Sequence, residues 1–298
     1  MRDPNTSDWT EELEPKLSDI SILGWCLVAI RAVLMLSIIS VGIVFLFIAR
    51  GVERPFVGPR RPISGLVVNW VCRIGTRAIG LRMSVRGTPM MHPGAVVANH
   101  SSWLDIIVLN AAKRVFFVSK AEVSSWPGIG FLANITGTVF IRRERRDSKL
   151  QKDLFQTRLG LGHKLLFFPE GTSTDSLRVL PFKSTLFAAF FEPELKEKIY
   201  IQAVTVNYHA PKNQDKRFYG WWGEMDFGTH MIQSLSALPQ GHVEVVFHEP
   251  RALKEYDSRK VLAADLEQDV RSAHAFDCLL YTSPSPRDLS TSRMPSSA

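Results

Sequence analysis

Gly94-Ala95-Val96-Val97-Ala98-Asn99-His100-Ser101-Ser102-Trp103-Leu104-Asp105 is the stretch on which the rest of the chain depends. Its apolar first half, residues 94–98, reads as a buried strand that stops at Asn99-His100. Ser101 or Ser102 then offers a helix N-cap, with Asp105 in the first turn of the helix that follows. On one continuous helix His100 and Asp105 would point about 140° apart, at roughly 100° per residue. They meet only if His100 sits in the turn and reaches over the helix start. A histidine placed there, with a carboxylate to fix its tautomer and stabilise its imidazolium, is a general base. Ser102-x-x-Asp105 also fits an acidic variant of the capping box, which involves no chemistry. The stretch by itself leaves both readings open.

At 298 residues the chain is long enough to bury a sizeable core. Hydrophobic residues make up 45% and the mean hydropathy is +0.01, on the apolar side for a soluble enzyme. A net charge of +7 suits an anionic partner. No zinc-finger spacing and no sustained basic-aromatic pattern is present, so a lipid surface is expected rather than nucleic acid. Cys26, Cys72 and Cys278 form no pairable framework and no metal spacing, as in a reducing compartment.

Three regions are expected. Residues 1–81 hold an acidic N-terminus, a membrane helix and an amphipathic helix. Residues 82–277 hold the catalytic domain, and 278–298 form a non-native tail. That tail, from Cys278-Leu279-Leu280-Tyr281-Thr282-Ser283 through Pro286-Arg287-Asp288, resembles a translated transposase sequencing-library adapter. At the other end, residues 32–49 run without a charge after Arg31, at the threshold for a spanning helix. The alternative is a re-entrant helix with Arg31 snorkelling to the interface. Arg50, Arg54, Arg60 and Arg61 follow, which places the remainder on the cytoplasmic side of the membrane. Pro55, Pro59 and Pro62 suggest a stiff linker. Residues 65–81 then read as an amphipathic helix, either on anionic lipid or in the core.

From Arg82 onward short apolar strands alternate with helices. Strands are expected over 83–86, 95–98, 115–119, 138–142, 164–168, 200–207 and 243–247. Helices are expected over 103–112, 129–134, 148–161, 186–191 and 258–275. The pattern implies an α/β fold, a mostly parallel sheet flanked by helices with an N-terminal membrane-binding helical arm.

Several blocks fall just past strand ends, where α/β sheets place function. They are His100 with Asp105; Gly137-Thr138-Val139-Phe140-Ile141-Arg142-Arg143; Phe168-Pro169-Glu170-Gly171-Thr172; and Ile201-Gln202-Ala203-Val204. In this order they resemble the glycerolipid acyltransferase family, which includes the 1-acyl-sn-glycerol-3-phosphate acyltransferases. The stretches Glu170 to Ser184 and Trp221 to Asp226 resemble a bacterial branch that also acts on lyso-ornithine lipid.

The resemblance implies His100 as general base and Asp105 as its orienting carboxylate. It implies Phe140 and Arg143 as acceptor-binding residues, Arg143 at a phosphate, and Glu170, Gly171 and Thr172 lining the acceptor site. Two departures stand out. Ser173-Thr174 follow Thr172 where the family often has Arg-Ser, and Ala203 stands where a proline is usual.

The expected reaction moves a fatty acyl group from acyl-CoA or acyl-carrier protein to a lysolipid hydroxyl in phospholipid biosynthesis. It needs no metal and no other cofactor. The first acceptor expected is 1-acyl-sn-glycerol-3-phosphate, giving phosphatidate; the alternative is lyso-ornithine lipid. A non-catalytic lipid-binding membrane protein is the distant alternative. There is no Gly-x-Ser-x-Gly elbow, so direct attack without a covalent intermediate is expected. Backbone N–H groups beside the helix start after Ser102 are candidate oxyanion donors. Histidines other than His100 are read as structural.

Overall fold

The structure is a computed structural model that describes residues 20–141 and 148–276. The acidic segment 1–19, the arginines from Arg142 to Arg146 and the tail 278–298 lie outside the described residues. The seven anticipated strands are β1 (Arg82–Arg86), β2 (Gly94–Ala98), β3 (Phe116–Lys120), β4 (Val139–Ile141), β5 (Lys164–Phe167), β6 (Tyr200–His209) and β7 (His242–Phe247). They form one sheet in the order β1-β7-β6-β2-β5-β3-β4. Parallel pairing sets β2 between β6 (Ala98 opposite Val204) and β5 (Val97 opposite Phe167). One junction is antiparallel, β6 with β7. A two-residue β8 (Arg251–Ala252) adds to the start of β6; at that length no alternation is visible in the sequence.

The helices are α1 (Ile22–Phe56), α2 (Pro62–Ile79), α3 (Leu104–Ala112), α4 (Ile129–Thr136), α5 (Ser148–Gly160), α6 (Pro193–Lys196), α7 (Phe227–Ser236) and α8 (Arg259–Ser272). Every residue of β2 is buried because both sheet faces are covered. Val96 and Ala98 face a core shared with Leu104, Val108 and Ile79. Ala95 and Val97 face the opposite core with Phe187, Phe190, Leu262 and Leu266. Period-two alternation thus divides one apolar run between two cores.

Three expectations change. Residues 184–191 form a 3-10 helix, not an α-helix. The proline linker is shorter than expected: α1 runs through Pro55 to Phe56, and Pro62 begins α2. A first-turn proline gives up an N–H that would have no helical partner anyway. Arg31 does not snorkel. It is 7% exposed, and its Nη1 donates to the carbonyls of Leu235 and Ala237 at 2.6 and 2.8 Å. The last carbonyls of a helix lack partners and carry the negative end of its dipole, so α7 is a ready acceptor for a guanidinium. Replacing Arg31 by methionine is expected to cost roughly 2 kcal/mol, a fall in Tm of about 4–8 °C in thermal unfolding.

The arm packs onto the domain along its length. A Cβ at Gly42 would collide with Val71 of α2, and a Cβ at Gly75 would meet the Met35 thioether at 3.4–3.5 Å. Farther along, Arg50 donates to the Ile135 carbonyl, and Glu53 accepts from Ser64 N at 2.9 Å. The outer face of α1 exposes Val33, Leu36, Val44, Phe47, Ile48 and Val52. By length and composition α1 is a candidate membrane span.

Candidate active site

Past the end of β2, Asn99 continues the pairing with β6 through its side chain. Its Oδ1 accepts from Val206 N at 2.8 Å and its Nδ2 donates to Val206 O at 2.9 Å. The side-chain amide thereby replaces a strand peptide, and the chain is free to turn at the next residue. His100 occupies that turn. Its N–H donates to Glu170 Oε1 at 2.7 Å, and its carbonyl accepts from Thr174 N at 2.9 Å and Thr174 Oγ1 at 3.1 Å. Its ring stacks on Phe168 with centroids 4.0 Å apart and planes 11° apart.

The turn brings His100 back over the start of α3, and Nδ1 lies 2.8 Å from Asp105 Oδ2. The carboxylate is 0% exposed, and its oxygens are fully engaged. Oδ2 also accepts from Ser101 N and Ser102 N at 2.8 and 3.0 Å, while Oδ1 accepts from Tyr208 Oη at 2.8 Å. The capping arrangement and the His–Asp pair are therefore one structure, since Asp105 caps the backbone and holds the imidazole with the same oxygen. A carboxylate acceptor requires Nδ1 to carry the proton, which leaves the Nε2 lone pair for a substrate hydroxyl. The His100 side chain is 20% exposed, enough for such an approach.

Tyr208 escaped the sequence reading. It stands in the apolar run of β6, 103 residues from Asp105, where a tyrosine reads as core. Burial, and then the Asp105 charge, push its hydroxyl well above its ordinary pKa, so it remains a neutral donor. Tyr208→Phe is expected to lower kcat about tenfold with KM nearly unchanged, because Asp105 would lose a donor and its fixed position. A purely structural tyrosine would leave the kcat-to-KM split unmoved.

Glu170 is not part of an open acceptor surface. It is 1% exposed, with Oε1 on the His100 amide and Oε2 on Leu180 N at 2.7 Å. Burial chiefly, helped by the Asp105 charge, raises its pKa well above the usual carboxylate range against those two amides. It supports His100 from beneath. Gly171 follows at φ 79°, a left-handed turn closed by its N–H on the Phe168 carbonyl at 3.1 Å. Thr172 is exposed beyond it. Phe140 lies on the edge strand β4, three strands from β2 and roughly 14 Å away at ~4.8 Å per strand, so it is not brought to the dyad. Arg143 lies outside the described residues.

Of the amides beside the helix start after Ser102, Leu104 N donates to Ser102 Oγ at 3.3 Å and Asp105 N to the Ser102 carbonyl at 3.1 Å. The Trp221-Trp222 pair belongs to the fold around the site. Trp221 N–H donates to the Ser101 carbonyl at 2.9 Å, and Trp222 is buried.

A family model described as acyltransferase matches residues 82–207. A lyso-ornithine lipid O-acyltransferase from Rhodobacter capsulatus is 51% identical over 264 residues, 89% of this chain and 96% of that protein. A Brucella abortus protein of the same name is 34% identical over 82% of this chain and 91% of its own length. A 1-acyl-sn-glycerol-3-phosphate acyltransferase from Neisseria gonorrhoeae is 35% identical over 44% of this chain and 51% of its own. The crystal structure of PlsC, the 1-acyl-sn-glycerophosphate acyltransferase of Thermotoga maritima, shares the fold. It has a TM-score of 0.54 and 20% identity over 86% of this chain and 98% of that one.

Proposed function

The chain belongs to the glycerolipid acyltransferase family, and on that premise we propose that it acylates the hydroxyl of lyso-ornithine lipid from a fatty acyl thioester, either acyl-CoA or acyl-carrier protein. The observation that carries the reaction is the pair His100 Nδ1–Asp105 Oδ2 at 2.8 Å, with Nε2 left for the acceptor. His100 Nε2 takes the hydroxyl proton as the oxygen attacks the thioester carbonyl. The tetrahedral adduct collapses with cleavage of the C–S bond, and the imidazolium returns the proton to the departing thiolate. Asp105 stabilises the imidazolium between those events.

Two observations support lyso-ornithine lipid over the acceptor first read from the sequence, 1-acyl-sn-glycerol-3-phosphate. Relatives named for the former align along 67–89% of the chain, against 44% for the Neisseria protein. The loop after Glu170 also carries Ser173 where a phosphate-binding arginine is common, and an ornithine headgroup has no phosphate to bind.

The arm supports a membrane-surface location. Arg31 on α7 and Arg50 on the Ile135 carbonyl hold α1 to the domain at points about 28 Å apart, at 1.5 Å per residue. A helix docked at both ends lies along the bilayer surface with its outer face in lipid. The catalytic domain then works at the cytoplasmic face of a bacterial inner membrane.

Membranes containing the chain, given radiolabelled acyl-CoA or acyl-carrier protein with each acceptor separately, test the acceptor. Labelled ornithine lipid exceeding labelled phosphatidate is expected. Phosphatidate as the dominant product would return the reading to the phosphate acceptor.

A further inference from the structure

At the opposite end of the sheet from His100, four basic side chains gather where the arm meets the N-terminal ends of β3, β4 and β5. Arg50 donates through Nη2 to the Ile135 carbonyl, and Arg158 through Nη2 to the Gly137 carbonyl. The Arg158 guanidinium lies 4.7 Å from the Phe116 ring centroid, and the His163 ring stacks on the same phenyl at 4.1 Å. Arg61 reaches in from the start of α2, where a Cβ on Gly137 would stand only 2.5 Å from its Nη1. Arg61 holds φ 51° and ψ 48°, a left-handed backbone that is costly for any residue with a side chain of this size.

Among the described residues no carboxylate forms an ion pair with the cluster. Arg50 Nε, Arg61 Nη1 and Arg158 Nε are buried without a hydrogen-bond partner, while His163 donates through Nε2 to the Arg60 carbonyl at 3.0 Å. Glu53, whose charge acts on Arg50, already accepts from Ile63 N, Ser64 N and Ser64 Oγ. Burial and the Arg61 charge push Arg158 down to about 10, and burial chiefly pushes His163, itself 3% exposed, down to about 4. Converging guanidiniums with unused N–H groups and no anion are unfavourable by themselves and well suited to the oxygens of a phosphate.

We propose that Arg50, Arg61 and Arg158 bind the phosphate group of an anionic lipid at the foot of the arm. The site is separate from the acyl-transfer centre: His163 and Phe168 lie at opposite ends of β5, about 16 Å apart at ~3.3 Å per residue. Lipid is the source because the same end of α1 exposes the apolar side chains of Phe47, Ile48, Val52 and Phe56. A headgroup phosphate on the arginines leaves its acyl chains along those residues and fixes the arm at a set depth.

The test is a thermal-unfolding titration of the full chain in neutral detergent, with short-chain phosphatidylglycerol in one arm and inorganic phosphate in the other. Arg61→Asn removes the cation while tolerating the left-handed backbone, and Arg158→Met keeps the packing on Phe116. Arg54→Gln, an exposed arginine at the same helix end, is the control. Saturable stabilisation of the wild type by phosphatidylglycerol is expected. Both cluster variants should need at least about tenfold more ligand, and Arg54→Gln should follow the wild type. Saturation by inorganic phosphate at lower concentration than the lipid would overturn the lipid assignment. No stabilisation by either ligand, or equal stabilisation of both cluster variants, would overturn the site itself.

Discussion

His100→Ala is expected to lower kcat and kcat/KM together by roughly 10²–10⁴-fold, the usual worth of a positioned general base. The protein should remain folded. The imidazole is partly exposed and stacks on Phe168, so little buried surface is lost with it. The backbone bonds of residue 100 to Glu170 and Thr174 do not involve the ring and stay in place. Steady-state kinetics beside a thermal melt separates the two effects. A large loss of Tm would assign His100 to the fold, and a loss in KM alone would assign it to binding.

Asp105 gives the second large effect, and its two obvious substitutions diverge. Asp105→Asn can keep its carbonyl toward Ser101 N, Ser102 N and the imidazole, and turn its NH₂ toward Tyr208, whose hydroxyl then accepts. Only the Tyr208 hydroxyl proton and one amide proton lose a buried acceptor, so Tm should fall by less than in Asp105→Ala. The negative charge that steadies the imidazolium is gone, so the rate should fall by about 10²–10⁴-fold. Asp105→Ala strands two amides and the tyrosine hydroxyl in a dry interior. At about 1–3 kcal/mol each, the cost approaches the whole stability of a typical domain. A folded, soluble Asp105→Ala protein, or an active Asp105→Asn protein, would contradict this account of the carboxylate.

Local signals carried most of the fold. The run 94–98 is short, apolar and flanked by polar turn residues, and it became β2. The His100–Asp105 contact was legible because both partners lie within one turn, where helix geometry limits how they can meet. What depends on distant contacts was not legible. Tyr208 lines up with Asp105 only because β6 pairs beside β2. Glu170 shows its place beneath His100 only when the ends of β2 and β5 are brought together. Arg31 looked like an interfacial residue because nothing near it in sequence reveals the carbonyls at the end of α7. Helix α7 itself was missed, although its N-cap is ordinary: Asp226 accepts from Thr229 N at 2.8 Å.

The claim at the centre is that His100 activates the acceptor hydroxyl for direct attack on the thioester. The measurement that tests it most directly mixes the full chain with radiolabelled acyl thioester, with and without lyso-ornithine lipid, and quenches within the first turnover. Label should enter ornithine lipid when the acceptor is present, vanish from the lipid in His100→Ala, and never appear on protein. Label bound covalently to the chain without acceptor, on Ser101 or Ser102 above all, would contradict direct transfer and make the reaction a two-step exchange.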